Sequence, residues 1–211
     1  DLIRYACDQI EANDGFIVQM GSDPLQGYQA TNYSILRPYG VWLVISPFNF
    51  PSALTGGPMG AALISGNTVV VKPAAKTSWS VRLLADCFVE AGLPSGVVNF
   101  VTGSGSVMGE SLVQHPGVDG VTFTGSYEVG MGIHRKFAQR EYVHPVILEL
   151  GGKNPAIVSQ HADVERAVQG IVRSAFGLQG QKCSACSRVY IEEPLYDEVV
   201  ERIVEETEKL T

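Results

Sequence analysis

Short runs of apolar residues alternate along the chain with longer stretches in which apolar residues recur at helical spacing. Apolar runs without polar interruption are typical of strands that are covered on both faces of a sheet. The longer stretches begin at Pro or Ser and several end near Gly, as helices do. The pattern predicts five strands, at residues 41–46, 68–72, 97–101, 120–124 and 143–150, with helices between them at 51–65, 78–91, 106–115 and 126–138.

This alternation predicts successive strand-helix-strand units, and therefore a parallel sheet with right-handed crossovers. We expect a Rossmann-like α/β domain over residues 1–150, with a helix at 1–12 and an irregular segment or short hairpin at 17–37. Residues 151–211 are interpreted as the start of a second α/β domain. Its predicted elements are a strand, a helix, a strand and a helix at 155–158, 163–176, 188–191 and 195–210.

Both ends of the sequence have the pattern of cut ends. The helix at 1–12 has no capping residue before it, and the acidic helix at 195–210 has nothing after it to pack against. We therefore expect a fragment of a longer protein, with the first domain incomplete at its N-terminus and the second truncated.

Composition excludes several classes of partner. The chain carries 15 Lys and Arg against 22 Asp and Glu, a net charge of −7, and has no basic run, which argues against nucleic acid. No apolar segment is long enough to span a bilayer and the first residues do not resemble a signal peptide, so no membrane partner is expected. The 4 cysteines are too few and too unevenly spaced for a secreted disulfide framework. We expect a reducing compartment, the cytoplasm or, in a eukaryote, the mitochondrial matrix.

Two residues have the chemistry of a thiol-based oxidation. Cys183 lies in a small-residue segment between a predicted helix and a predicted strand, and Glu149 ends an apolar strand. A thiol can attack a carbonyl, and a carboxylate can take a proton from the thiol or from water. The simpler interpretation of any one cysteine is a buried, inert side chain.

Ligands of parallel α/β sheets bind outside the carboxyl ends of the strands, and several candidate residues lie there. The segment Gly125-Ser-Tyr-Glu-Val-Gly130 joins a strand to a helix, where free N–H groups favour a pyrophosphate. The alternative is a capped turn, with Ser126 as N-cap and Val129 packing below it. A second glycine-rich turn, from Gly103 to Gly109, lacks the spacing of the dinucleotide fingerprint and is the weaker candidate.

Two further strand ends carry polar side chains. Lys72 could reach a ribose hydroxyl or a phosphate, or could simply extend its amine to solvent. Asn49, between Phe48 and Phe50, could donate to a developing oxyanion, or could form the turn before a helix that begins with Pro.

Cys183 and Cys186 also form a C-x-x-C motif, which suggests a redox pair or half of a metal site. No second such motif and no nearby His pair completes a zinc site in the sequence, so we predict no metal. The redox interpretation stays as an alternative.

Five motifs in order resemble the aldehyde dehydrogenase superfamily. They are Pro47-Phe-Asn-Phe-Pro51, Gly66-Asn-Thr-Val-Val-Val-Lys-Pro73, Phe123-Thr-Gly-Ser126, Leu148-Glu-Leu-Gly-Gly-Lys153 and Gly180-Gln-Lys-Cys183. Within that superfamily, residues 177–188 most resemble the Δ1-pyrroline-5-carboxylate dehydrogenase branch, whose members oxidise glutamate γ-semialdehyde to glutamate in proline breakdown.

The resemblance implies a role for each matching residue. It implies that Cys183 is the nucleophile, that Glu149 activates the hydrolytic water, and that the Asn49 side chain and the Cys183 N–H form the oxyanion hole. Ser126 would bind the pyrophosphate, Lys72 the adenosine ribose, and Gly151 would lie near the nicotinamide. Further residues matched to the cofactor site are Ser46, Phe48, Gly125 and Gly130, and those matched to the substrate site are Ser184 and Phe50.

The resemblance also implies a cofactor, NAD or NADP, a small aldehyde substrate, and a parent protein that is a homo-oligomer. Family members commonly have an acidic residue where this chain has Ala75, followed here by Lys76. Without that carboxylate a 2′-phosphate is not repelled, so we expect NADP to be accepted as well as NAD. Two alternatives stay open: a dehydrogenase for another semialdehyde, such as succinic semialdehyde, and a non-catalytic nucleotide-binding fragment.

Overall fold

The computed structural model describes residues 1–210 except 23, 25, 26 and 28. The chain forms two compact units, Asp1–Glu149 and Leu150–Thr211. Among the described residues no helix is both long and apolar enough to cross a membrane.

The first unit is built around a five-stranded parallel sheet, so the predicted α/β architecture is confirmed. Its strands are β3 (Val41–Ile45), β4 (Thr68–Lys72), β5 (Val98–Phe100), β6 (Gly120–Thr124) and β7 (Val146–Glu149). The helices are α2 (Pro51–Ile64), α3 (Ser78–Glu90), α4 (Glu110–Gln114) and α5 (Tyr127–Ala138). They are preceded by α1 (Leu2–Ala12) and an antiparallel pair, β1 (Ile17–Met20) and β2 (Asn32–Ile35). The pair is the hairpin expected at 17–37, part of which, at residues 23, 25, 26 and 28, lies outside the described residues.

The central strand β3 explains why the apolar runs predict the sheet. Leu43 and Val44 are buried, and Val44 pairs with Val71 on one side and with Thr122 on the other. A strand that is covered on both faces and paired on both edges has no solvent-facing position for a polar residue.

The strand order is β5-β4-β3-β6-β7. The side of the sheet on which successive strands are added therefore changes at β3, although all five strands are parallel. The strand that follows β3 in the chain lies on one side of it, and β6 lies on the other. Open α/β sheets bind ligands at such a reversal, outside the carboxyl ends of the two diverging strands, which here are β3 and β6. The loops that follow those two strands are 46–50 and 125–126.

Several predicted elements differ from the observed ones in their bounds, and two of them differ most. β7 begins at Val146 and not at residue 143, because Val143 is 98% exposed and Pro145 has no N–H for the ladder. The predicted helix at 106–115 begins instead as one turn of π-helix, Gly105–Gly109, before α4.

The second unit is a strand-helix-strand unit with one more helix. β8 (Asn154–Val158) and β9 (Cys186–Ile191) are parallel and are joined through α6 (Val164–Phe176), and α7 (Tyr196–Glu208) follows. Its core consists of Val158, Val168, Ile171, Val172 and Val199. β9 begins at Cys186, two residues before the predicted strand, so the loop that carries Cys183 is shorter than expected.

Candidate active site

Lys72, the last residue of β4, is buried. The side chain is 5% exposed, and its Nζ donates to the Pro73 carbonyl oxygen at 3.1 Å. Its stem passes Gly109, where a Cβ would lie 3.8 Å from the Lys72 Cε. Burial lowers the pKa of the Lys72 ammonium below its usual value. The alternative in which this amine simply extends to solvent is wrong, and Lys72 is a cation held inside the ligand-facing edge.

The loop after β3 is fixed at its base. Ser46 and Thr55 are 3% and 0% exposed, and the Thr55 hydroxyl donates to the Ser46 hydroxyl oxygen at 2.7 Å. The Ser46 N–H donates to the Lys72 carbonyl oxygen at 3.2 Å, which ties the loop to the end of β4. These bonds hold the start of the loop that carries Asn49.

The aromatic residues beside Asn49 do not fill a core. Phe48 is 49% exposed and Phe50 is 42% exposed, while Asn49 between them is half-buried. Pro51 then starts α2. The bend therefore presents two rings at the ligand-facing edge of the first unit.

The turn between β6 and α5 has the geometry of an anion site. Ser126 is exposed, and its Oγ accepts from the Val129 N–H at 3.4 Å as the N-cap of α5. A Cβ at Gly125 would lie 2.5 Å from the Phe123 ring, so no side chain fits there. The exposed N-terminus of a 12-residue helix attracts a phosphate.

The capped-turn alternative is correct about Ser126 and wrong about Val129, whose side chain is 53% exposed and does not pack below the turn. Gly130 is buried within α5. The Gly125 N–H donates to the Glu149 carbonyl oxygen at 3.0 Å. This bond joins the turn to the end of β7.

The remaining residues matched to the cofactor lie at the expected loops. Ala75 and Lys76 are exposed in a short 3₁₀ turn, Ala75–Thr77, directly after β4. Gly151 is exposed in the segment that follows β7, within the second unit. Their contact with a cofactor stays a prediction.

Cys183 lies on an exposed turn of the second unit. The turn follows a 3₁₀ segment, Gly177–Gly180, and is closed by a bond from the Ala185 N–H to the Lys182 carbonyl oxygen at 3.1 Å. The Asn154 amide donates to the Cys183 carbonyl oxygen at 2.7 Å and is 3.4 Å from that of Ala185. Cys183 and Ser184 are exposed, so the interpretation of Cys183 as a buried, inert side chain is wrong for this unit.

Cys186 has a different environment. It is half-buried, its N–H donates to the Ser174 hydroxyl oxygen at 3.2 Å, and its thiol donates to the Arg188 carbonyl oxygen at 3.4 Å. Both cysteines of the motif are free thiols. In the described part of the chain, no three His, Cys, Asp or Glu side chains are grouped as metal ligands.

Glu149 ends β7 with its side chain exposed and with its backbone paired with Thr124. It closes the first unit, while Cys183 belongs to the second. That the two side chains face one cavity stays a prediction.

Three structural residues outside the reacting groups escape sequence reasoning: Thr55, Asn154 and Ser174. Each makes its bond through a side chain that ties two separate segments together. The weak signal for Asn154 is a polar residue immediately before Pro at the start of an apolar strand.

These features are those of a nucleotide-fold unit followed by a unit with an exposed thiol. The model of the aldehyde dehydrogenase family matches residues 1–211. The chain belongs to the aldehyde dehydrogenase family, as its motifs predict.

Individual relatives agree with this assignment. A 1-pyrroline-5-carboxylate dehydrogenase of Bacillus cytotoxicus is 46% identical over an alignment of 214 positions, which covers 98% of this chain and 40% of the relative. The structure of an NADP-dependent glyceraldehyde-3-phosphate dehydrogenase from Bacillus halodurans, complexed with NADP, is similar with a TM-score of 0.88 and 39% identity, over 100% of this chain and 44% of that one. The structure of a Thermus 1-pyrroline-5-carboxylate dehydrogenase with bound NAD is similar with a TM-score of 0.78 and 40% identity, over 82% of this chain and 34% of that one. The chain thus spans less than half the length of these proteins.

Proposed function

We propose that the protein to which this chain belongs oxidises glutamate γ-semialdehyde to glutamate, with NAD or NADP as the hydride acceptor. The observation that carries the proposal is the exposed Cys183 thiol on a hydrogen-bonded turn, in a chain of the aldehyde dehydrogenase family. The name of the Bacillus cytotoxicus relative supports the choice of substrate.

In this reaction the Cys183 thiol gives its proton to solvent and its sulfur bonds to the aldehyde carbon. The electron pair of the C=O π-bond moves to the oxygen, which gives a thiohemiacetal. The Asn49 amide and the Cys183 N–H donate to the oxygen as it becomes negative. NAD or NADP, held by the first unit, would supply the hydride acceptor, and loss of the hydride from this carbon would leave a thioester on Cys183. Glu149 takes a proton from water, whose oxygen then displaces the sulfur as a thiolate. The carboxylic acid is released, and Glu149 returns the proton to the sulfur, which restores the free thiol.

The first unit fits such a cofactor. The exposed helix N-terminus at Ser126, the absence of room for a side chain at Gly125 and the buried ammonium of Lys72 belong to the same edge of the sheet. A pyrophosphate would accept from the N–H groups of the turn, and Lys72 would donate to a ribose hydroxyl.

Ser184 supports a substrate that carries a carboxylate. It directly follows the nucleophile and is exposed, so its hydroxyl can donate to an acidic group at the far end of an aldehyde. Ser184→Ala should lower kcat/KM for glutamate γ-semialdehyde while changing that for propanal little. Equal losses for both aldehydes would remove this role. If the unaltered parent had a higher kcat/KM for succinic semialdehyde than for glutamate γ-semialdehyde, succinic semialdehyde would be the favoured substrate.

The two cysteines of the motif provide a matched test in the full-length parent. Cys183→Ser should abolish aldehyde oxidation and leave cofactor binding intact, whereas Cys186→Ser should retain most of the activity. Loss of activity in both variants would favour a redox pair. Cofactor binding without oxidation of any aldehyde by the unaltered parent would favour the non-catalytic nucleotide-binding alternative.

A further inference from the structure

We propose that Asn154 is a positioning residue for the Cys183 nucleophile, acting through the backbone carbonyl groups of its turn. The proposal rests on the proposed function, in which Cys183 attacks the aldehyde. Asn154 itself touches the turn and not the reacting atoms.

The hydrogen bonds run from one side chain to two carbonyl groups. Asn154 Nδ2 is 2.7 Å from the Cys183 carbonyl oxygen and 3.4 Å from the Ala185 carbonyl oxygen. A carboxamide NH₂ has two donor hydrogens, so it can serve both acceptors. The first carbonyl group belongs to the peptide between Cys183 and Ser184 and the second to the peptide between Ala185 and Cys186. The amide therefore fixes the plane of the peptide that leaves Cys183.

The neighbouring backbone makes room for this side chain. A Cβ at Gly152 would lie 3.2 Å both from Asn154 Nδ2 and from the Cys183 carbonyl oxygen. That approach is closer than ordinary van der Waals contact, so a side chain at Gly152 would push against the hydrogen bond itself. Gly152 is therefore small because the link between Asn154 and Cys183 occupies its space.

The backbone of Asn154 is fixed by its own hydrogen-bonded neighbours. It is the first residue of β8, where it pairs with Cys186 at the start of β9, and Pro155 follows it. The Arg188 guanidinium donates to the carbonyl oxygen of Lys153, the preceding residue, at 2.9 and 3.2 Å. A side chain anchored on both sides can hold a loop, since its own position is fixed by the strand pairing.

The consequence concerns the direction of the thiol. Without the amide, the bond from the Ala185 N–H to the Lys182 carbonyl oxygen still closes the turn, but the peptide after Cys183 can rotate. A displacement of about 1 Å at a nucleophile can lower the rate of its reaction by about 10²-fold. The binding of the cofactor does not depend on this peptide in the proposed function, so the effect should fall on the chemical step.

The test uses the full-length parent with two variants. Asn154→Asp keeps the shape of the side chain but replaces the donors with oxygens that repel the two carbonyl groups. Ser174→Ala is the matched control, because it removes the bond to the Cys186 N–H and leaves the Cys183 carbonyl oxygen bonded. The measurements are the single-turnover burst of reduced cofactor, the Kd for NAD, and the rate at which iodoacetamide alkylates Cys183, followed by peptide mass spectrometry.

We expect Asn154→Asp to slow the burst by roughly 10- to 100-fold with an unchanged Kd for NAD, and Ser174→Ala to slow it by less than about 3-fold. A normal burst in Asn154→Asp, or equal slowing in both variants, would overturn the positioning role while leaving the proposed function intact. Absence of any cofactor reduction by the unaltered parent would overturn the proposed function instead. The alkylation rate would then decide the positioning role: a change in Asn154→Asp alone supports it, and no change contradicts it.

Discussion

The hydroxyl of Thr55 donates a 2.7 Å hydrogen bond to the hydroxyl of Ser46, and both side chains are buried. The bond connects the first turns of α2 to the residue that directly follows β3. It therefore holds both ends of the loop that contains Asn49. The position of Asn49, the candidate oxyanion donor, thus depends on the hydrogen bond between Thr55 and Ser46.

Replacement of Thr55 by Val tests this link. Val has nearly the shape of Thr but no hydroxyl, so the buried Ser46 hydroxyl loses its donor. We expect the first unit to lose about 1–3 kcal/mol of stability on urea unfolding. Thr55→Ser keeps the hydroxyl and is the control. Equal free energies of unfolding for Thr55→Val and the unaltered protein would show that the bond does not contribute to stability.

Gly125 and Gly132 form a matched pair for the phosphate turn. A Cβ at Gly125 would collide with the Phe123 ring at 2.5 Å, whereas one at Gly132, within α5, has nothing within 4 Å. Gly125→Ala should cost about 1–3 kcal/mol and weaken the binding of NAD, since the turn must move. Gly132→Ala should be neutral or stabilise by about 0.5–1 kcal/mol. Differential scanning fluorimetry and NAD titration of both variants measure this, and similar results for the two would contradict the steric account.

The buried ammonium of Lys72 should cost stability and serve binding. Because burial lowers its pKa, the unfolded chain holds this proton more tightly than the folded one. The free energy of unfolding should therefore rise with pH between the lowered pKa of Lys72 and the ordinary lysine pKa of 10.5. Lys72→Met should flatten this rise without lowering stability at neutral pH.

The same variant should weaken NAD binding by about 10- to 100-fold, the value of a hydrogen bond from a charged donor. The exposed Lys76 is the control for both measurements, because Lys76→Met should change neither the pH profile nor the affinity for NAD. Tight NAD binding by Lys72→Met would remove Lys72 from the cofactor site.

The turn after β4 should allow NADP to compete with NAD. Ala75 leaves no carboxylate at this exposed position, and Lys76 beside it can attract a 2′-phosphate. Ala75→Glu should therefore lower the affinity for NADP, by about 2- to 5-fold for exposed charges, and leave that for NAD nearly unchanged. Titration of both cofactors at low salt checks this, and binding of NAD alone by the unaltered parent would contradict it.

The parallel sheet could be predicted from the sequence because its strands are apolar on both faces. β4 and β6 have the predicted bounds, and β3 ends one residue early. At the edge of the sheet the same reasoning fails, since the apolar Val143 is 98% exposed and is no part of β7. Hydrophobic character alone does not show which edge residues find a partner.

The sequence predicts those residues of the candidate site that belong to local motifs at the ends of strands. It does not predict the residues whose side chains form hydrogen bonds between distant segments. Cys183 and Ser126 belong to motifs with local spacing. Asn154 bonds to a residue 29 positions away, and Thr55 depends on a neighbour that only the folded chain brings within reach. Such bonds leave no periodic pattern in the sequence.

The central claim is that Cys183 and Glu149 act on the same aldehyde. Its most direct test is a Glu149→Gln variant of the full-length parent, mixed with glutamate γ-semialdehyde and NAD and quenched with acid. Without the carboxylate the thioester should persist, so we expect about one equivalent of NADH per active site and an acyl mass on the Cys183 peptide. Continuous turnover by the variant, or an acyl group on any other residue, would contradict the account.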